Sequence, residues 1–125
     1  MKRLIMAIDD NQQQYLDSNN FNEYIKRDIT KLFNMGISVD TVNKWIKDVK
    51  KSDCVEQILK GIDRRYTDEQ MNLLLKFKDD NKKLEAINDG FLFECDIEAI
   101  DYFVSHYDAS LAKEIFKQSF MKKNK

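Results

Sequence analysis

The sequence predicts an all-α fold: about four tandem helical hairpins of 29 residues, stacked as a small α-solenoid or as a compact helical bundle. Three observations lead there. Proline is absent and glycine occurs only at Gly36, Gly61 and Gly90, so the usual punctuation of β-rich folds is missing and strong helix formers run in long stretches. Apolar residues cluster at helical spacing, as in Val42/Trp45/Ile46, Val55/Ile58/Leu59, Met71/Leu74/Leu75 and Ile100/Phe103/Val104. The clusters also return at a fixed interval of 29 residues.

That interval sets a register. Leu16, Trp45, Leu74 and Phe103 form one apolar column, and Ile29, Ile58, Ile87 and Phe116 a second. Leu4, Phe33, Ile62, Phe91 and Phe120 make a third, and Ile8, Ile37, Tyr66 and Cys95 a fourth. Each hairpin's first helix should start just after Asp9, Ser38, Thr67 and Asp96, four residues in one repeat position whose side-chain oxygens can hold free amides at a helix N-terminus. Thr67 with Gln70 has capping-box spacing, and Asp9 with Gln12 resembles it. The second helices are expected to start near Asn20, Ser52, Asn81 and Asp108 and to run to Phe33, Ile62, Phe91 and Phe120. Gly61 and Gly90 are read as places where those helix ends relax. Leu4 and Ile8 fit the tail of a preceding helix that closes off the first hairpin. Helices of roughly 10 to 13 residues are too short to stand alone, so the units must bury their apolar stripes on one another. In the competing arrangement, an irregular bundle, the spacing is coincidence or a relic of duplication.

Composition bounds the rest. At 125 residues, 42% hydrophobic and 34% charged, the chain fits one domain spanning 1–125, too apolar for disorder and too polar for a membrane protein. No apolar run reaches the roughly 18 residues of a membrane span, and the one opening the chain stops at Asp9-Asp10, short of a signal peptide's core. Cys54 and Cys95 stand 41 positions apart with no CxxC or histidine cluster, as expected of reduced thiols in a cytoplasmic protein. A net charge of −1 argues against both a strongly basic nucleic-acid binder and a heavily acidic nucleic-acid mimic. Charge is uneven, acidic from Glu85 to Asp108 and lysine-rich after Lys113.

No nucleotide loop, zinc-ligand spacing or hydrolase motif is present, so neither a cofactor nor a metal is expected, nor catalysis. His106 near Asp101 and Asp108 is the one candidate acid-base pair, and it lacks a nucleophile. Cys54 falls in a helix as a small hydrophobe. Trp45 belongs to the core column. The repeat suggests a protein-binding stripe: Tyr15, Lys44, Leu73 and Tyr102 share one position beside the core, and Asn19, Asp48, Phe77 and His106 follow four residues later on the same face. Leu73, Phe77 and Tyr102 could equally pack between units. As the alternative, Lys44, Lys47 and Lys51 along one helix face, extended by Lys50, Arg64 and Arg65, would form a nucleic-acid surface of helix-turn-helix type, interrupted by Asp48 and Asp53.

The segment Tyr66-Thr67-Asp68-Glu69-Gln70-Met71-Asn72-Leu73-Leu74, echoed by Tyr107-Asp108-Ala109-Ser110-Leu111-Ala112-Lys113-Glu114-Ile115, resembles short helical repeats of the aromatic-x-x-x-Gln-Met-x-x-Ile/Leu kind. Such repeats occur in accessory proteins of phages and mobile elements of Gram-positive bacteria. The resemblance implies a mobile-element protein acting in the host cytoplasm, and the best-known small phage proteins that bind host defence machinery are anti-CRISPR inhibitors. It therefore implies a protein partner such as a defence nuclease complex, and it transfers no site residue.

Overall fold

Helix starts are set by short polar side chains. The computed structural model describes residues 8–123, and among them the chain forms eight α-helices and no strand. These are α1 (Asp10–Ser18), α2 (Glu23–Asn34), α3 (Val39–Ile46), α4 (Ser52–Asp63), α5 (Asp68–Lys76), α6 (Asn81–Leu92), α7 (Ile97–His106) and α8 (Ala109–Lys123). Asp9 and Thr67 each close a reciprocal capping box with Gln12 and Gln70. Ser38 accepts from the Thr41 amide. Asp96 takes the same place before α7, yet its side chain makes no cap hydrogen bond.

The second helices start less uniformly. Asn22, not Asn20, caps α2 by accepting from the Ile25 amide, so the helix opens at Glu23. Asp80 caps α6 and Asp108 accepts from the Leu111 amide at the head of α8. Lys51 precedes α4 with no side-chain cap, and Ser52 is already helical.

The helix ends correct the reading of the glycines. Chain reversal after α2, α4 and α6 uses a left-handed residue at Gly36 (φ 92°), Arg65 (φ 62°) and Glu94 (φ 62°), and only the first is glycine. After each, the next amide reaches back: Ile37 to the Leu32 carbonyl, Tyr66 to Gly61 and Cys95 to Gly90, the Schellman pattern that satisfies a last-turn carbonyl. Gly61 and Gly90 instead lie inside α4 and α6 and are buried. A Cβ on Gly61 would stand 2.7 Å from the Met71 sulfur, and one on Gly90 2.7 Å from Ile100 Cγ1. Their role is to let α5 close on α4, and α7 on α6.

The second helices form a packed row in which α2 touches α4, α4 touches α6 and α6 touches α8. First helices bridge along it: α3 lies on α4, α5 on both α4 and α6, and α7 on both α6 and α8. Helix α1 packs on α2 and α3. The row's centre is the isoleucine column, Ile29, Ile58 and Ile87 at 0% exposure, completed by Phe116. Each such side chain contributes about 1.5–3 kcal/mol by leaving water. Leu16, Trp45 and Leu74 are buried beside it, and Phe103 is half-buried. Ile8 packs partly against the core, whereas Leu4 lies outside the described residues. Among the described residues no helix is long and apolar enough to cross a membrane.

Candidate interaction surface

The stripe read from the repeat divides into members held inside the fold and members that face out. Tyr15 on α1 is half-buried against Phe21 and Phe33, and its hydroxyl donates to Asn43 Oδ1 on α3 at 3.2 Å. Burial pushes that hydroxyl's pKa up. Leu73 is 6% exposed and belongs to the core, which removes it as a surface anchor: its aliphatic side chain is worth more inside than at a rim. Phe77 is half-buried, with the ammonium groups of Lys76 and Lys83 5.6 and 5.4 Å from its ring centre. Lys44 is exposed and lies over the Trp45 ring at 4.5 Å.

Tyr102 and His106 are the pair that remains together on the outside. Tyr102 is 52% exposed and stacks on His106 with ring centres 4.3 Å apart. One helical turn separates them, and His106 Nδ1 lies 2.8 Å from the Tyr102 carbonyl, which fixes the imidazole against the helix. Beside them Phe103 stacks on exposed Tyr107 and meets buried Phe116 edge-on. Tyr107 was absent from the sequence-derived stripe, although its place four residues after Phe103 was a usable signal.

The carboxylates around this surface are occupied. Lys76 on α5 reaches both oxygens of Asp101, at 2.8 and 3.0 Å, and Ser105 donates at 3.1 Å. The Lys76 hydrogen bond holds the Asp101 carboxyl below its usual range. Asp108 caps α8. The expected His106-carboxylate pair therefore does not form, because the ring turns to a backbone carbonyl and both acids have other partners.

The basic surface is also redistributed. Helix α3 ends at Ile46, so Lys47 is its C-cap and Lys51 precedes α4, where its ammonium donates to the Asp79 carbonyl at 3.3 Å. The three lysines thus do not share one helix face. Arg64 and Arg65 follow the far end of the 12-residue α4, about 18 Å from Lys51 at the α-helical rise. Arg64 donates to the Tyr66 hydroxyl at 3.3 Å.

Little here suits chemistry on a small molecule. The Cys54 thiol is buried, and burial together with the Asp53 charge pushes its pKa up to about 11. Cys95 is raised by burial too, so both thiols are poor nucleophiles at neutral pH. Among the described residues no group of His, Cys, Asp or Glu side chains is arranged to hold a metal. A cleft of about 200 Å³ between α2 and α4 has Leu32 and Leu59 on its floor and Asp28, Lys31, Glu56 and Lys60 at its rim. It is smaller than the roughly 300–1,000 Å³ usual for small-molecule sites. No protein-family model, curated protein or solved structure matches the chain.

Proposed function

We propose that the protein is a non-catalytic interaction module, four stacked hairpins forming a small α-solenoid, that holds a protein partner through the Tyr102-His106 surface. The observation that carries this reading is the exposure of Tyr102, a large aromatic side chain pre-ordered by its stack on His106. A rigid aromatic with two rotatable bonds loses little entropy when buried, which is why such residues anchor interfaces. The solenoid reading draws support from recurrence: first helices open at Asp10, Val39, Asp68 and Ile97, and left-handed turns fall at Gly36, Arg65 and Glu94, each series in steps of 29 residues.

The partner class rests on the resemblance of Tyr66–Leu74 to repeats of phage and mobile-element accessory proteins. On that basis the protein acts in the host cytoplasm by occluding a defence protein such as a CRISPR effector. The test is capture from extract of the natural host, followed by mass spectrometry. Recovery of a defence protein in stoichiometric amount is the expected result. Recovery of nucleic acid alone, abolished when Lys44, Lys47 and Lys51 are neutralised, would overturn it.

A further inference from the structure

In the stacked-hairpin register, Tyr102 lies on the side of its helix that meets the next hairpin. Tyr15 holds the same repeat position and reaches Asn43; Lys76, one turn beyond Leu73, reaches Asp101. Asn43 and Asp101 are themselves equivalent, two 29-residue steps apart. On the second helices this side carries Gln57, whose two oxygens accept from Asn88, and Gly61 and Gly90, which receive Met71 and Ile100.

One step further along the register, α8 offers Ile115 where Gln57 and Ala86 are buried, and small Ser119 where Gly61 and Gly90 admit a neighbouring helix. Ile115 is half-buried and Ser119 exposed, because no described element packs over them. The opposite side of the first hairpin is different. Exposed Gln13 stands where Val42, Met71 and Ile100 are buried, and Lys26 where Val55 and Leu84 are. A helical stack stays soluble when its end faces are polar, and one of these two faces is not.

We infer that the face formed by Tyr102, Ile115 and Ser119 is covered by the same face of a second copy of this chain, giving a two-fold symmetric dimer. The face continues an interface that within one chain already seats this chain's own helices on Gly61 and Gly90. Head-to-tail stacking would set it against Gln13 and Lys26, burying polar groups, whereas pairing like with like buries apolar surface on both sides and closes the assembly. The inference rests on the stacked-hairpin reading, and a partner that uses Tyr102 would compete with the second copy.

Sedimentation equilibrium of the 125-residue chain tests it. The wild type should sediment as a dimer at tens of micromolar. Tyr102→Glu and Ile115→Glu should each weaken the dimer at least about tenfold, the effect of roughly 1.4 kcal/mol, while Gln13→Glu leaves it unchanged. Circular dichroism checks that each variant is folded, and exposed Tyr102 keeps the test decisive if Ile115→Glu does not fold. A monomeric wild type, a dimer indifferent to Tyr102→Glu, or an open-ended polymer broken by Gln13→Glu would overturn the inference. A monomer that still captures its partner through Tyr102 would do so while leaving the proposed function standing.

Discussion

Asn88 on α6 donates from one amide nitrogen to both oxygens of Gln57 on α4, the backbone carbonyl at 3.2 Å and the side-chain Oε1 at 2.9 Å. Its own Oδ1 accepts from the Tyr66 hydroxyl at 2.8 Å. Both Asn88 and Gln57 are buried, so this network ties the middle of the helix row to the turn before α5 with its groups paired. Asn88→Ala should cost about 1–3 kcal/mol, since it strands Gln57 and Tyr66 without partners. Tyr66→Phe should cost about 1 kcal/mol and be less than additive with it. Urea denaturation of the two single variants and the double variant measures both.

Glycine-to-alanine changes in α4 and α6 set helix propensity against packing. Alanine gains about 1 kcal/mol in a helix interior, but the new methyl would lie 2.7 Å from Met71 at position 61 or from Ile100 at position 90. Overpacking of that kind costs about 1–3 kcal/mol. Gly61→Ala and Gly90→Ala are therefore expected to be destabilising overall, and thermal denaturation should show lower midpoints for both.

The left-handed turns make the opposite prediction. Arg65 and Glu94 hold a backbone conformation that costs an L-residue about 1–2 kcal/mol, against a smaller entropic penalty for glycine of about 0.5–1 kcal/mol. Arg65→Gly and Glu94→Gly should each stabilise the fold by up to about 1 kcal/mol, read as a higher urea midpoint at unchanged slope.

The Lys76-Asp101 bridge gives a pH dependence whose sign follows from the depressed Asp101 carboxyl. A carboxyl whose folded pKa lies below its unfolded value contributes stability above the unfolded value and loses it as pH falls through the folded one. Both side chains are more than a third exposed, so the contribution at neutral pH is at most about 1 kcal/mol. Asp101→Asn should lower the urea midpoint slightly at pH about 7, and the difference should vanish well below pH about 4.

Much of this fold is legible in the sequence for local reasons. Asp9, Ser38 and Thr67 carry short side chains that can cap only the helix that follows them, and these starts are where expected. Ambiguity enters where several residues could do one job: Asn19, Asn20 and Asn22 are all competent caps, and only Asn22 has the Ile25 amide within reach. Gly61 and Gly90 mislead because a glycine near a helix end resembles a terminator, while the residues that terminate, Arg65 and Glu94, have no sequence mark of it. The surface is harder still. Leu73 and Tyr102 share a register, yet one is buried and the other 52% exposed, because burial depends on which neighbour covers that position. The lysines separate for a similar reason: α3 is only eight residues long, which breaks the face that Lys47 and Lys51 would share.

The most direct measurement is quantitative capture from host extract with the wild type and with Tyr102→Ala/His106→Ala. A truncated anchor pair at the centre of an interface should reduce recovery of the protein partner about tenfold or more, while circular dichroism shows the helices intact. Equal recovery of the same partner by the folded double variant would contradict binding through Tyr102 and His106.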